Sequence, residues 1–307
     1  MQHIDEKVTF FREEPYFPSI FPPVPMQTVL TIAGFDPSSG AGITADLMVF
    51  AAHGLFGTSC ITAITVQSTL GVASTHPVAN EIVANTLDCL QADLPPVGIK
   101  IGMLGSTSNT SRICDYLEKY NPPVDILVAP KVLIVLDPIF HASSGHRLLD
   151  EAGTGILRDR LLPLVDWLTP NLDELSALSG VPVKSREDVP DACHTLQDQV
   201  ASGRNGGRIG VLATGGHMDP PDDLLLQPTG EEIWIPGERI VTRATHGTGC
   251  AFSSAFLSRL VLGDTPHQAA VAAKAYVTGA LRTAPALGAG HGPMNHLWQL
   301  RQDSTAR

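Results

Sequence analysis

From Met26 onward, short runs of apolar and β-branched residues alternate with longer amphipathic stretches. Apolar runs without polar alternation are typical of strands covered on both faces, and the amphipathic stretches between them predict helices. Strands separated by helices build βαβ units, so the pattern predicts an α/β domain with a mostly parallel sheet. The predicted strands are 28–33, 59–66, 98–102, 132–136, 167–169, 209–213, 223–227 and 232–235, and the predicted helices are 42–53, 80–91, 106–119, 151–161, 172–178, 250–262 and 265–283.

Prolines near the N-terminus predict a different organisation for residues 1–26. The segment contains Phe-Pro-Ser-Ile-Phe-Pro-Pro-Val-Pro, and prolines at this density are incompatible with a helix or a central strand. We therefore expect an arm or a disordered tail over 1–26. Because no linker follows, we expect a single domain over 27–300 and a short tail over 301–307.

The net charge and the cysteines argue against several classes of function. The 307 residues include 20 Lys and Arg against 31 Asp and Glu, a net charge of −11, which argues against a nucleic-acid or anionic-membrane binder. No apolar run approaches the roughly 20 residues of a membrane span, and the N-terminus lacks the apolar stretch of a secretory signal. Five scattered cysteines without a Cys-x-x-Cys pair support neither a disulfide framework nor a zinc site. We expect a cytoplasmic protein with reduced thiols.

The first candidate for chemistry is the glycine-rich segment Thr245-His-Gly-Thr-Gly-Cys250, which directly precedes an apolar predicted helix. Backbone N–H groups and the dipole at such a helix N-terminus stabilise a phosphate, or the charge on a transferring phosphoryl group. The same position predicts a lowered pKa for the Cys250 thiol, which would suit proton transfer or nucleophilic attack. The alternative is a buried structural cysteine.

Oxygen-bearing side chains at two strand ends are the second candidate. Thr169-Pro-Asn-Leu-Asp-Glu174 follows one predicted strand, and Asp137 follows another. Asn171 and Glu174 could present oxygens to Mg²⁺ or its waters, since one or two carboxylates plus substrate phosphates suffice for this ion. The alternative is a capping arrangement with Asn171 as the N-cap, and both readings can hold at once.

Two further glycine-rich turns lie at predicted strand ends. The segment 34–42, followed by Asp46 on a helix, matches neither the dinucleotide-binding fingerprint nor a Walker loop. Its alternative is a tight strand–helix turn with a solvated Asp46. The segment 207–217 runs from a strand into Gly215-Gly216, which on its own is a plausible nucleotide-edge loop. Ligands bind beyond the carboxyl ends of strands in open sheets of this kind, so these segments are expected at one edge.

In this order, the segments resemble the ribokinase superfamily, and within it the hydroxymethylpyrimidine/phosphomethylpyrimidine kinases of thiamin synthesis. The residues that carry the resemblance are 31–46, 63–67, 100–104, 136–138, 144–145, 169–174, 215–217 and 246–250. The resemblance implies a ribokinase-like three-layer α/β/α fold with a mostly parallel central sheet, and a homodimer. It also implies the ATP- and Mg²⁺-dependent phosphorylation of 4-amino-5-hydroxymethyl-2-methylpyrimidine, and then of its monophosphate to the diphosphate.

The resemblance also implies roles for the matching positions. The residues expected to line the pyrimidine pocket are Gly34, Asp46, Gln67, Met103 and Ile139, with Asp46 and Gln67 hydrogen-bonding the substrate. Gly247, Thr248 and Gly249 are expected to form the anion hole, and Cys250 stands where most of the superfamily has an aspartate base. The residues expected near the nucleotide are Asn171, Thr214, Gly216, His246 and Lys274, and those expected near Mg²⁺ are Asp137 and Glu174.

Several positions depart from the family pattern. The departures in the substrate half are Phe35, Ser39, Met48 and Phe140-His141. Thr214 stands where the family often has a lysine, which removes a cation near the ATP phosphates. Two alternatives therefore stay open: a pyridoxine or pyridoxal kinase of vitamin B6 salvage on the same fold, and a non-catalytic pyrimidine-binding regulatory protein.

Overall fold

The apolar runs of the sequence form the strands of one nine-stranded sheet in a computed structural model that describes residues 26–120, 132–140, 145, 148–200 and 207–302. Residues 1–25 and 303–307, and the motif residues His141 and Ser144, lie outside the described residues. The domain boundaries and the two tails therefore stay predictions.

The strands follow the predicted ones with one addition. They are β1 (Thr28–Phe35), β2 (Phe56–Ser68), β3 (Gly71–Pro77), β4 (Gly98–Ile101), β5 (Leu133–Leu136), β6 (Trp167–Leu168), β7 (Gly210–Ala213), β8 (Asp223–Leu226) and β9 (Glu232–Ile235). Their order in the sheet is β3-β2-β1-β4-β5-β6-β7-β8-β9. The pairs from β2 to β7 are parallel, whereas β3 and β8 run antiparallel to their neighbours. The predicted mostly parallel sheet is confirmed.

Helices cover both faces of the sheet. The helices of the described residues are α1 (Gly42–Ala52), α2 (Asn80–Asp93), α3 (Thr107–Tyr120), α4 (Glu151–Ile156), α5 (Leu172–Ser179), α6 (Asp188–Gln199), α7 (Thr248–Val261), α8 (Pro266–Arg282) and α9 (Trp298–Gln302). On β5, Ile134 and Leu136 enter the core with α2 to α6, while Val135 enters the core with α1, α7 and α8. Because successive strand side chains point to opposite faces, each strand supplies both cores, and the result is three layers.

The differences from the predicted elements have local causes. Strand β3 has the sequence Gly-Val-Ala-Ser-Thr-His-Pro with no buried residue, so it lacks the apolar run that identifies a covered strand. Helix α6 is rich in polar residues and has a proline in its first turn, and both features obscure the apolar periodicity that predicts a helix. The predicted helix 151–161 is regular only to Ile156 and continues as a wider π-type turn over Leu157–Leu161. The sequence pattern also does not predict the short helix α9.

Candidate active site

The anion hole predicted around Gly247 is the start of α7, where the backbone is held in place by close packing. Gly247 is the N-cap and has φ of 80°. A Cβ atom there would lie 1.9 Å from the carbonyl oxygen of Gly40, and one on Gly40 would lie 2.2 Å from the His246 ring. Among the described side chains, none caps α7, so the N–H groups of Thr248, Gly249 and Cys250 point at the space before the helix. The arrangement is suited to hold an anion.

The loop between β1 and α1 packs against this segment through Asp36. Its carboxylate accepts hydrogen bonds from the backbone N–H groups of Ser38 and Ala41, at 2.8 and 3.0 Å, and lies 2.7 Å from Nε2 of His246. Burial raises the pKa of Asp36, but the hydrogen bonds of His246 and Ser38 outweigh burial and the net pKa is lowered. Sequence reasoning placed Asp36 at a strand end and assigned it no role, because its partner lies far along the chain.

His246 lies with Gln67 rather than with the nucleotide residues. The side-chain Nε2 atoms of His246 and Gln67 are 2.9 Å apart, and the hydroxyl of Thr65 donates to Oε1 of Gln67 at 3.2 Å. His246 therefore contacts Gln67 and Asp36, and its predicted place near the nucleotide stays a prediction. The Asp36 carboxylate draws the imidazole toward the β1–α1 loop.

Three other predicted substrate residues, Gly34, Met103 and Ile139, lie close together next to this cluster. A Cβ atom on Gly34 would lie 2.6 Å from the sulfur of Met103. A Cβ atom on Gly102 would lie 3.7 Å from Cδ1 of Ile139 and 3.3 Å from Ala33. The carboxyl ends of β1 and β4 and the segment after β5 therefore form one apolar wall beside Gln67.

Asp46 lies below this wall and is fully buried, at 0% exposure. Its carboxylate accepts from Lys100 at 3.0 and 3.1 Å, from the Thr31 hydroxyl at 2.6 Å and from the Ser254 hydroxyl at 2.8 Å. Both oxygens are thus engaged by protein donors, so the alternative of a solvated Asp46 is wrong, while its predicted hydrogen bond to the pyrimidine stays a prediction. The Asp46 carboxylate points into the protein because the buried ammonium of Lys100 requires an anionic partner.

Cys250 occupies the third position of α7 and is also buried. Burial raises the pKa of its thiol to about 12, although the Lys100 ammonium and the backbone N–H of Gly42 favour the thiolate. The predicted lowering of the Cys250 pKa is therefore wrong, because loss of hydration outweighs the helix N-terminus and the nearby cation. In the protein without ligands, the thiol is neutral near pH 7.

Asp137 and Glu174 form the pair of carboxylates expected to support Mg²⁺. Burial raises the pKa of Glu174 to about 8 and that of Asp137 to about 6, and the charge of Asp137 contributes to the shift of Glu174. Asn171 and Glu174 also form the predicted capping box, with both hydrogen bonds at 2.9 Å. Across the described residues, no group of three or more His, Cys, Asp or Glu side chains could hold a metal. Two mutually repelling carboxylates nevertheless fit Mg²⁺, which takes its other ligands from water and phosphate.

The predicted nucleotide residues Thr214 and Lys274 lie near each other at the other end of this edge. The Thr214 N–H donates to the Pro170 carbonyl at 2.8 Å, next to the cap of α5. Lys274 Nζ lies 2.8 Å from Asp223 Oδ1, which also accepts from the Gly215 N–H at 2.9 Å. Lys274 thus supplies a cation at the loop where Thr214 replaces the usual lysine. Gly216 is exposed, and a Cβ atom there would contact nothing within 4 Å.

A cavity of about 510 Å³ lies between β9 and α8 and includes Lys274 in its lining. Its other lining residues are Ile235, Pro236, Glu238, Val271, Ala275, Thr278, Gly279, Arg282, Thr283 and Trp298. Cys250 and Gly247 are not part of it. The site described above is therefore an edge of backbone N–H groups and polar side chains, and it shares Lys274 with the lining of this cavity.

Comparisons with known proteins agree with this geometry. The sequence profile of the family described as phosphomethylpyrimidine kinase matches residues 36–295. The chain belongs to the phosphomethylpyrimidine kinase family. It is 36% identical over 276 residues to a hydroxymethylpyrimidine/phosphomethylpyrimidine kinase from Haemophilus influenzae, covering 88% of this chain and 97% of that protein. The predicted family resemblance is confirmed.

Two further relatives of this kinase are a longer bifunctional protein and a protein of known structure. A thiamine biosynthesis bifunctional protein, ThiED, from Geobacter sulfurreducens is 37% identical over 277 residues, which are 90% of this chain and 53% of that protein. The chain thus spans about half of that relative. The ADP complex of pyridoxal kinase from Staphylococcus aureus matches with a TM-score of 0.78 and 27% identity, covering 91% of this chain and 96% of that one. The ribokinase-like fold is confirmed.

None of the described helices combines the length and the apolar character that crossing a bilayer requires. All five cysteines lie among the described residues and are free thiols, and Cys89 alone of them is exposed.

Proposed function

We propose that this kinase transfers the γ-phosphoryl group of ATP to the hydroxymethyl group of 4-amino-5-hydroxymethyl-2-methylpyrimidine, and then a second phosphoryl group to the monophosphate. The observation that carries the proposal is the uncapped N-terminus of α7, which lies beside both Cys250 and the cluster of Gln67, His246 and Asp36. An anion site beside a hydrogen-bonding pocket is what a phosphoryl transfer to a heterocyclic alcohol requires.

Each group of residues at the site has its own role in this transfer. Gln67, which accepts from Thr65 and lies beside His246, binds the polar edge of the pyrimidine, while Gly34, Met103 and Ile139 contact its faces. The hydroxymethyl oxygen attacks the γ-phosphorus, the bond from that phosphorus to the bridging oxygen of ADP breaks, and the hydroxyl proton passes to the thiolate form of Cys250, which is the minor form at neutral pH. The N–H groups of Thr248, Gly249 and Cys250 stabilise the charge on the transferring group. Catalysis comes mainly from positioning and charge stabilisation.

The nucleotide is proposed to bind between the start of α7 and the Thr214–Gly216 loop, with Lys274 beside its phosphates. The relative from Staphylococcus aureus supports a nucleotide on this fold, since its structures include complexes with ADP and with AMP-PCP and pyridoxal. We propose that Asp137 and Glu174 hold Mg²⁺ directly or through waters. When bound, this ion neutralises phosphate charge.

The test is ADP release by the purified protein with Mg²⁺ and ATP, with three acceptors offered in parallel. We expect turnover of the hydroxymethylpyrimidine and of its monophosphate, at a higher kcat/KM than of pyridoxal. Because the structural relatives include a pyridoxal kinase, turnover of pyridoxal alone would favour vitamin B6 salvage instead. If folded protein releases no ADP with any of the three acceptors, the proposal is contradicted and a binding protein is favoured.

We propose that the protein is a homodimer that pairs through the outer face of β2. Along this strand Ala63 and Thr65 are buried, whereas Ile64 is 48% and Val66 53% exposed, and Leu70 in the following turn is 78% exposed. Adjacent apolar side chains on a surface are typical of an interface. The opposite face of the same strand presents Thr65 and Gln67 to the site, so dimerisation would brace the substrate-binding strand.

Val66→Glu is expected to convert the dimer into a monomer, because a carboxylate in an apolar interface loses its hydration without a partner. Light scattering after size exclusion gives the mass, which for one chain is 32.6 kDa. Val241→Glu is the matched control: Val241 is 97% exposed outside this face, and its substitution should leave the mass unchanged. A wild-type protein that runs as a monomer at all concentrations would refute the dimer.

The free cysteines support the proposal that the protein works in the cytoplasm, where thiols stay reduced.

A further inference from the structure

Lys100 and Asp46 form an ion pair that none of the roles above uses. Nζ of Lys100 lies 3.0 and 3.1 Å from the two carboxylate oxygens, and both side chains are 0% exposed. Removing two charges from water is so costly that apolar replacements of buried pairs are often as stable or more stable. Stability alone therefore does not account for a lysine at this position.

The ion pair connects three elements whose ends form the active site. Lys100 lies on β4 and Asp46 on α1, and Ser254 on α7 donates its hydroxyl to Asp46 at 2.8 Å. Ser254 is four residues after Cys250, so both lie on one side of α7, a turn apart. The carboxylate of Asp46 thereby fixes the first two turns of the helix whose N–H groups form the anion site.

The ammonium of Lys100 also lies directly under the pocket wall. A Cβ atom on Gly102 would be 2.9 Å from Nζ of Lys100 and 3.7 Å from Cδ1 of Ile139. Asp46, which pairs with this ammonium, also accepts from the hydroxyl of Ser254, one turn after Cys250, so the cation lies near the start of α7. The cation is thus close to the places where negative charge develops during transfer.

We propose that Lys100 is a positioning residue for phosphoryl transfer: paired with Asp46, it holds the start of α7 at the acceptor site and presents a buried positive charge beneath Cys250. The inference rests on the proposed function for its kinetic part only. The placement of α7 is measurable without any turnover.

The first test compares two serines of α7. Ser254→Ala removes the hydrogen bond to Asp46, while Ser258→Ala is the matched control, since its buried hydroxyl donates to the backbone carbonyl of Ser254, at 2.7 Å, and not to Asp46 among the described contacts. We expect Ser254→Ala to lower kcat by about tenfold with an unchanged KM, and to speed deuterium exchange in the peptide 248–256. Equal kcat or equal exchange in the two variants would overturn the inference. Because exchange requires no turnover, it decides the matter even if the ADP-release assay refutes the proposed function.

The second test separates the charge from the stability of the pair. Lys100→Met leaves Asp46 buried without its cation, so Tm should fall by roughly 10 °C and kcat by about 100-fold. Adding Asp46→Asn should restore Tm to within about 3 °C but should not restore kcat. Arg259→Met with Asp264→Asn, which removes an ion pair at the far end of α7, should leave kcat unchanged. If kcat returns together with Tm, the pair is structural only and the inference fails.

Discussion

Gly247→Ala is expected to lower kcat by about 1000-fold, the largest loss that we predict for a single methyl group. The backbone at this position has φ of 80°, and the added Cβ would lie 1.9 Å from the carbonyl oxygen of Gly40. The Gly40 carbonyl belongs to the backbone of a packed loop, so it cannot move aside as the end of a flexible side chain could. The start of α7 must therefore move away from the β1–α1 loop, and its N–H donors lose the phosphoryl group.

A matched substitution separates this displacement from backbone strain. Gly180 has φ of 75° at the end of α5, and a Cβ there would meet nothing within 4 Å. Gly180→Ala should cost about 1–2 kcal/mol of stability, the strain of a left-handed alanine, without an effect on kcat. ADP release and thermal unfolding measured on both variants make the comparison. Folded Gly247→Ala protein with wild-type kcat would show that the anion site lies elsewhere.

The features that the sequence predicted well are those set by local pattern. The run Val132–Leu136 has no polar residue, and β5 forms over Leu133–Leu136. The glycines before Cys250 predict a helix N-terminus, and α7 begins at Thr248. Such elements follow from burial on both faces and from backbone freedom, which neighbouring residues largely decide.

The features that it predicted poorly depend on partners distant in the chain. Asp46 is bound by Ser254, 208 residues away, and His246 is held by Asp36, 210 residues away. The sequence shows the chemistry of each side chain, but not the buried cation or carboxylate that becomes its protein partner. The pKa of Cys250 was misjudged for the same reason: the helix N-terminus is visible in the sequence, while the extent of burial is a property of the whole fold.

Cys250→Ala is expected to lower kcat by between about 100- and 10,000-fold with little change in KM, because it removes the acceptor of the hydroxyl proton. Cys250→Ser should be at least about tenfold slower than wild type, since an alcohol is a weaker acid than a thiol and exists less often as the anion. Cys193→Ala is the matched control: burial also raises the pKa of this thiol to about 12, but it lies on α6. Its kcat should equal that of the wild type.

The pH dependence of kcat also tests whether Cys250 accepts the hydroxyl proton. With the pKa of Cys250 raised to about 12, the thiolate is a minor form at neutral pH, and its fraction grows tenfold with each pH unit below that value. Single-turnover rates of the wild type should therefore rise more steeply between about pH 7 and pH 9 than those of Cys250→Ala, in which ionisation of Glu174, with its pKa raised to about 8, remains but the thiolate does not. A folded Cys250→Ser protein with wild-type turnover, or an alanine variant with the same rising profile, would assign the proton to another acceptor. In that case Cys250 serves only to pack α7 against Gly42.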